Sequence, residues 1–297
     1  MPEAARVTDN HVCPCPTPTA HVGGPIDAPA SANVETNSLG AARATDLLTC
    51  TGVPAKNFIV TGSTTVEING KLAARKTDKT MHPGPGDIVA GSANVEIGGA
   101  TGGATLGDPD EAGRRCRAAA NGRTSGRTQQ SYQNCGVESA RQIINQSGNP
   151  ITEDQLLDSA MSSGDAERKG QGFLGLKTDR ANSGGTGPAG RDNILNANGV
   201  PAHMEGNSMQ NLTQALGENR GVISSHDAGL LWGDARYNGG GHAIVPTGVE
   251  YGPDGKPLNI IVNDTGTGQC QQSIPAAQFE SSLRAGRDLN VTNNPVW

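Results

Sequence analysis

Aromatic side chains are scarce in this 297-residue chain: three Phe, three Tyr and two Trp, 3% of the whole. A core built on large rings along the entire length is therefore excluded. Charge is sparse too, at 18%, and a basic surplus is missing: 23 Lys and Arg face 29 Asp and Glu, for a net charge of −6 and a pI near 5.5. Phosphate-bearing partners need a basic face, so duplex nucleic acid and anionic membranes are excluded as principal ligands. No apolar run approaches the roughly 20 residues of a membrane span. The opening Met1-Pro2-Glu3-Ala4-Ala5-Arg6 has no basic stretch leading into an apolar one. The expectation is export by a route that reads no cleaved leader. Glycine is abundant instead, 42 residues, with 18 Pro; that is about twice the usual glycine share, yet short of unpatterned low complexity.

The apolar mass is unevenly placed. Of the eight aromatics only Phe58 precedes residue 130, and the rest lie from Tyr132 to Trp297. This shift predicts two domains, an all-β one over 1–99 and an α+β one over 128–297. Between them, 100–127 reads as a linker: GGATGGATLGDPDEAG, then Arg114, Arg115, Arg117, Arg123 and Arg127. Such a composition buries too little surface to order itself.

A motif recurs three times in the first part: AARVTD from Ala4, AARATD from Ala41 and AARKTD from Ala73. A second also recurs, as SANVET from Ser31, STTVEI from Ser63 and SANVEI from Ser92. Alternation around Val34, Val66 and Val95 predicts short strands, with Asn69-Gly70 a tight turn. Units this short bury nothing alone, so three predict a pseudo-threefold β object with a very small core. A small core needs a staple. His11 follows Asp9, Cys50 follows Asp46 and His82 follows Asp78, so each repeat offers one metal-capable side chain, and His21 offers a fourth. Three imidazoles and one thiolate make a closed tetrahedral zinc site of the structural kind. Cys13 and Cys15, in the sequence CPC, are rival ligands ranked second.

These features resemble the PAAR-repeat family. The resemblance covers residues 1 to about 99 and rests on PEAARVTDNHVCP, HVGGPI, AARATD with LLTCTG, and AARKTD with KTMHPG. It implies a pointed β cone with zinc near its apex, seated on the trimeric valine-glycine-repeat spike of the type VI secretion machine. On that resemblance His11, His21, Cys50 and His82 are the zinc ligands. Cys15 is a departure from the family pattern.

The second part carries a different constellation. After Cys135, apolar Val137, Ala140, Ile143 and Ile144 follow a helical period, which places Cys135 at a helix N-terminus. The helix dipole there favours a thiolate. Gly239-Gly240-Gly241-His242 leads into an apolar strand, and Leu258–Val262 forms another that ends at Asn263-Asp264-Thr265-Gly266. A strand-end acceptor can hold the imidazole by its second nitrogen, an order that suits thiol catalysis. Gln129 offers an amide for the oxyanion.

This half resembles the papain-like superfamily, more narrowly its branch of toxins and bacteriocin-processing peptidases, over residues 128 to 297. The resemblance rests on Q-x5-CG, GGHAIV and VNDTGTG. It implies Cys135 as nucleophile, His242 as general base and acid, Asp264 as the orienting residue with Asn263 its rival, and Gln129 as oxyanion donor. No cofactor is needed for catalysis. Together the halves imply a type VI secretion effector: a tip delivering a cysteine peptidase against a target-cell protein, the recipient cytoplasm favoured, with a cognate immunity protein guarding the producer. Deamidation or transglutamination on the same fold, or a non-catalytic cargo adaptor, are the alternatives.

Other residues are read as scaffold. His226 is expected to be structural or substrate-lining, and His203 has no role. Gly185–Gly190 fits a GxGxxG pattern but follows no strand, so it is read as a loop. Cys116 and Cys270 are expected as free thiols, since the chain is made in a reducing compartment. Thr152 begins a capping box, Ser208 caps another helix, Pro275–Leu283 suggests a late helix and Leu289–Thr292 a last strand.

Overall fold

The structure, a computed structural model, describes residues 1–14, 21–53, 55–82, 84–120, 133–170 and 179–297, with the side chains of 118–120 left aside. Among these, no helix is long and apolar enough to cross a membrane. The chain divides into two compact units. The first comprises Met1–Leu106 with Val249–Asn259, the second Gly107–Gly248 with Ile260–Trp297.

In the first unit the sequence repeat becomes a ring. Ala42 N–H donates to Ala5 O (2.9 Å), Ala74 N–H to Ala42 O (2.9 Å) and Ala5 N–H to Ala74 O (3.0 Å), which closes the circle. Only a small side chain fits where three backbones converge. Ala5, Ala42 and Ala74 accordingly pack with Ile26, Leu48, Ile59 and Ile88 as one small core. Each repeat then turns by the same device. Thr8, Thr45 and Thr77 have φ of 74°, 73° and 78°, a left-handed conformation that is strained for β-branched residues. An Arg–Asp clamp spans each turn. The Asp carboxylate accepts the Arg backbone N–H and its guanidinium, Nε to Oδ2 at 3.0 Å for Arg6–Asp9, 3.1 Å for Arg43–Asp46 and 3.0 Å for Arg75–Asp78. Ser31, Ser63 and Ser92 play matching parts, each hydroxyl accepting the N–H of the valine three residues on.

The stretch expected as a linker is ordered for much of its length. Thr101–Gly103 pairs with Thr61–Ser63, and Pro109–Ala120 forms a helix, α1. Asp108 caps it by accepting Glu111 N–H, and Glu111 is bridged by Arg114 and Arg115 on the next turn. Arg114 and Arg115, which looked like solvated linker, are therefore i,i+3 and i,i+4 helix partners of Glu111. Residues 121–127 lie outside the described part.

The second unit is α+β. A sheet runs in the order Ala202–Glu205, Leu289–Pro295, Arg220–Asp227, Gly241–Tyr251, Pro257–Asp264, Gln269–Pro275. The helices are α2 (Cys135–Gln146), α3 (Glu153–Ser163), α4 (Pro188–Ala197), α5 (Met209–Gly217), α6 (Ala228–Trp232) and α7 (Ala276–Ser282). The apolar face of α2 (Val137, Ala140, Ile143, Ile144) is fully buried with Leu156, Leu157, Ile194, Leu195, Ile223 and Val245. The expected caps are present: Thr152 and Gln155 form a reciprocal box at α3, and Ser208 caps α5. The GxGxxG stretch is only half loop, because Pro188 starts α4 with Gly187 as its cap. Proline at the first helical position has no N–H to lose there.

Cys116 and Cys270 are joined as a disulfide, not free, with Cα atoms 5.9 Å apart. Helix α1 lies along the Gln269–Pro275 strand, and Gln271 Nε2 donates to Asp110 Oδ1 at 2.8 Å. That docking brings together two cysteines 154 residues apart, a pairing no sequence spacing announces.

The three clamps differ in burial: the arginine side chain is 19% exposed for Arg6, 14% for Arg43 and 2% for Arg75. Removing one partner of a buried pair costs about 3–5 kcal/mol. Arg75→Ala is expected to destabilise the first unit by that amount and Arg6→Ala by clearly less, because water can reach Asp9. Hydrogen exchange at the Ala5, Ala42 and Ala74 amides measures the order; equal losses would contradict it.

Candidate active site and metal centre

The metal-capable cluster in the first unit is Cys13, His21, Cys50 and His82. All four are buried, and their ligand atoms lie within 4.8 Å of one another. Cys13 Sγ stands 2.9 Å from His82 Nδ1 and 3.6 Å from His21 Nδ1. Two thiolates and two imidazoles at this mutual spacing fit a closed tetrahedral zinc site, where metal–ligand bonds of about 2.0–2.3 Å set ligands roughly 3.5 Å apart. Burial and the neighbouring imidazoles push His82 down to about 4, so it stays neutral, as a ligand must.

His11, expected as a ligand, stands outside this cluster, and Cys13 stands in it. His11 lies in the Asn10–Val12 strand and Cys13 directly after it; both are buried while Val12 between them is exposed, as side chains two residues apart share a face. The His11 ring is engaged by Gly24 O (Nδ1, 2.9 Å) and by Asn57. The repeat contains the correct register: Cys50 and His82 each follow their Asp by four residues, and counting four from Asp9 gives Cys13, not His11. Cys15 lies outside the described residues.

In the second unit Cys135 is the first residue of α2. The following position must be small: a Cβ on Gly136 would stand 2.2 Å from Thr186 Oγ1 and 3.1 Å from the Arg191 side chain. His242 is the second residue of the Gly241–Tyr251 strand and Asp264 the last of Pro257–Asp264. The structure brings the three side chains together. His242 Nε2 hydrogen-bonds Asp264 Oδ1 at 2.7 Å, and Cys135 lines the same cleft as His242, near enough to the imidazole for each to shift the other's titration; with Nε2 engaged by Asp264, Nδ1 is the nitrogen left for the sulfur.

Asp264 is 1% exposed and fully used. Oδ1 also accepts Gly266 N–H at 2.8 Å, and Oδ2 accepts Trp232 Nε1–H at 2.7 Å. Asn263, its rival in the sequence, faces the other way: it donates to Ala112 O and accepts from Gln271 N–H. Successive strand residues point to opposite faces, so only one of the two can reach the imidazole. Gly266 leaves space for the ring, since a Cβ there would lie 2.9 Å from His242 Cε1 and 3.1 Å from Trp232.

Electrostatics follow. Burial drives His242 down, but the charge and hydrogen bond of Asp264, with those of Cys135, lift it to about 10. Burial drives the Cys135 thiol up, and His242 outweighs it, so the thiol sits below its ordinary 9.0. Burial also raises Asp264, yet His242 and Trp232 hold it below 3.8. Both shifts favour a thiolate–imidazolium pair, the nucleophilic form of cysteine.

Gln129 lies outside the described residues. His226 is fully buried between Ser224 Oγ and Ser282 Oγ, both at 2.7 Å, and burial with the His242 charge keeps it neutral, at about 3; it is a structural residue. His203, 44% exposed, bonds Asn293 and Glu205 away from this group. Two participants were not legible in the sequence. Trp232 lies 32 residues before Asp264, and Arg191 sits inside α4, where its hydrogen bonds to Ser225 Oγ (2.8 Å) and Asn290 Oδ1 (2.7 Å) exist only after folding.

Residues 16–85 match the PAAR motif family. Several solved structures are similar to the chain, its C-terminal region in particular. One is a putative C39-like peptidase from Bacillus anthracis, 16% identical over 54% of this chain and 88% of that one, TM-score 0.40. Another is a double glycine motif protease from an AMS/PCAT transporter in complex with the leader peptide, 16% identical over 57% and 95%, TM-score 0.36. A third is the peptidase domain of Streptococcus ComA, a bi-functional ABC transporter involved in a quorum-sensing pathway, 13% identical over 56% and 95%, TM-score 0.38. No curated protein matches.

Two outcomes are expected. Cys13→Ser and Cys50→Ser should lose bound zinc by elemental analysis while His11→Gln keeps it; the reverse pattern would restore His11 as ligand. Alkylation of Cys135 should persist at pH values below the ordinary thiol range, and His242→Ala should move its pH midpoint upward, because the main influence opposing burial is then gone. Stability follows the same shifts. The His242 contribution is full below about 6.5, the ordinary imidazole value, and is lost as pH rises through about 10. That of Asp264 is present above 3.8 and lost as pH falls through its depressed value.

Proposed function

We propose that this chain is a type VI secretion effector whose first unit caps the trimeric valine-glycine-repeat spike and whose second unit is a cysteine peptidase acting on a target-cell protein. The spike reading is supported by the PAAR motif and by the buried Cys13/His21/Cys50/His82 cluster, where a structural zinc would stiffen a unit with a very small core. The peptidase reading is carried by the Cys135–His242–Asp264 contact chain.

The reaction follows from that chain. The Cys135 thiolate attacks the amide carbonyl carbon, and the electron pair displaced onto oxygen is met by N–H groups at the start of α2 and by the Gln129 amide. As the tetrahedral intermediate collapses, the His242 imidazolium gives its Nδ1 proton to the departing amine, and a thioester remains. Neutral His242 next takes a proton from water. The resulting hydroxide attacks the thioester, releasing the acid and restoring the thiolate. Asp264 fixes the ring through Nε2 throughout. A producer needs a cognate immunity protein, and the recipient cytoplasm keeps the nucleophile reduced.

Expression of the full chain in a bacterial cytoplasm should arrest growth, with the neighbouring open reading frame protecting. Cys135→Ala should lower target processing at least about 10⁴-fold without unfolding the protein. Target mass separates the reactions: fragments mean cleavage, a gain of about one dalton means deamidation by the same thioester route. Toxicity undiminished in Cys135→Ala would overturn the reading.

A further inference from the structure

The cleft at Cys135 holds positive charge that the reaction above does not use. A cavity of about 210 Å³ is lined by Cys135, His242, Ser225 and three arginines, Arg191, Arg284 and Arg287. This is a concentration of cations in a chain of net charge −6. The side chain of Arg191, 3% exposed, is bonded, among the described residues, to neutral oxygens of Ser225 and Asn290. Arg284 is fixed at its backbone: its N–H donates to Ser225 O, and its carbonyl accepts from Asn207. Its Nη1 lies over Gly241, 2.7 Å from where a Cβ would stand. Arg287, from the same turn, reaches the opposite wall, with Nη1 3.4 Å from a Cβ placed on Gly187. Among the described residues neither nearby carboxylate is within ion-pair distance of these arginines: Asp227, whose charge reaches Arg284, accepts the N–H groups of Leu230 and Gly239, and Glu167, beside Gly185, pairs with Lys169 at 3.7 Å.

We infer that the cleft is a subsite for an acidic side chain: the unit acts on amide bonds next to a Glu or Asp, whose carboxylate is taken by Arg284 and Arg287, while Arg191 supplies fixed positive charge beside the nucleophile. The inference rests on the peptidase reading. Guanidinium forks match carboxylates two bonds at a time. A substrate that brings the counter-charge relieves the cost of gathering cations in a narrow cleft, whereas a neutral isostere leaves donors unpaired. Discrimination of this kind exceeds what an apolar pocket gives for one methylene.

The test needs no identified target. The full chain is treated with iodoacetate or iodoacetamide, and modification of Cys135 is followed by mass spectrometry of its peptide. The ratio of the two rates should fall by about tenfold in the double variant Arg284→Gln/Arg287→Gln, and should fall in the parent protein as salt screens the cleft. Arg114→Gln, on exposed α1, should leave the ratio unchanged. Proteome-derived peptides digested by the full chain should show Glu or Asp enriched within two residues of the cut bonds, and the double variant should lose that enrichment. An unchanged rate ratio in the double variant, or Cys135-dependent cuts with no acidic enrichment, overturns the subsite and leaves the peptidase standing. Absence of any Cys135-dependent cut overturns both.

Discussion

The Asp264 carboxylate, buried and saturated with donors, is the fixed point of the second unit. Removing a carboxylate from water costs several kcal/mol unless donors replace the lost hydration. Here an imidazole, an indole and the Gly266 amide do so. Much of the local architecture serves that satisfaction. The strand order places His242 beside it, α6 carries Trp232 to its second oxygen, and Gly266 stays small so that both rings have room. The shift at Cys135 is a downstream effect: the proton that Asp264 favours on His242 is the main influence lowering the thiol.

The first unit solves a similar problem three times over. Each tight turn buries a carboxylate and answers it with the arginine three residues earlier. Three alanine backbones close on one another where no larger residue fits. With so little apolar volume, a two-thiol, two-imidazole cluster near the Cys13 and His82 end is the economical way to add rigidity.

The repeat arithmetic made the threefold ring legible, and the helical period after Cys135 made α2 legible, because both are local patterns that packing reinforces. Three of the four clustered metal-capable side chains were legible in the sequence. Cys13 ranks behind His11 when any metal-capable residue near the motif is accepted, and ahead of it when the four-residue offset from Asp that Cys50 and His82 share is held. The ordered segment from Thr101 through α1 was hidden because its composition is that of a linker, while its order comes from partners remote in sequence: Ser63, Gln271 and Cys270. Trp232 and Arg191 were hidden for the same reason. Asp264 and Asn263 could not be separated by type, since both accept hydrogen bonds; the strand's alternation decides between them.

The Cys116–Cys270 bond closes a covalent loop, and the positions of the reacting residues within it matter. Cys135, His242 and Asp264 all lie between the bridged cysteines. A single peptide break anywhere inside that loop, by a recipient's proteases or by a neighbouring copy, produces two pieces that stay joined. The second unit can thus be nicked without being dismembered, until a reductant opens the bridge.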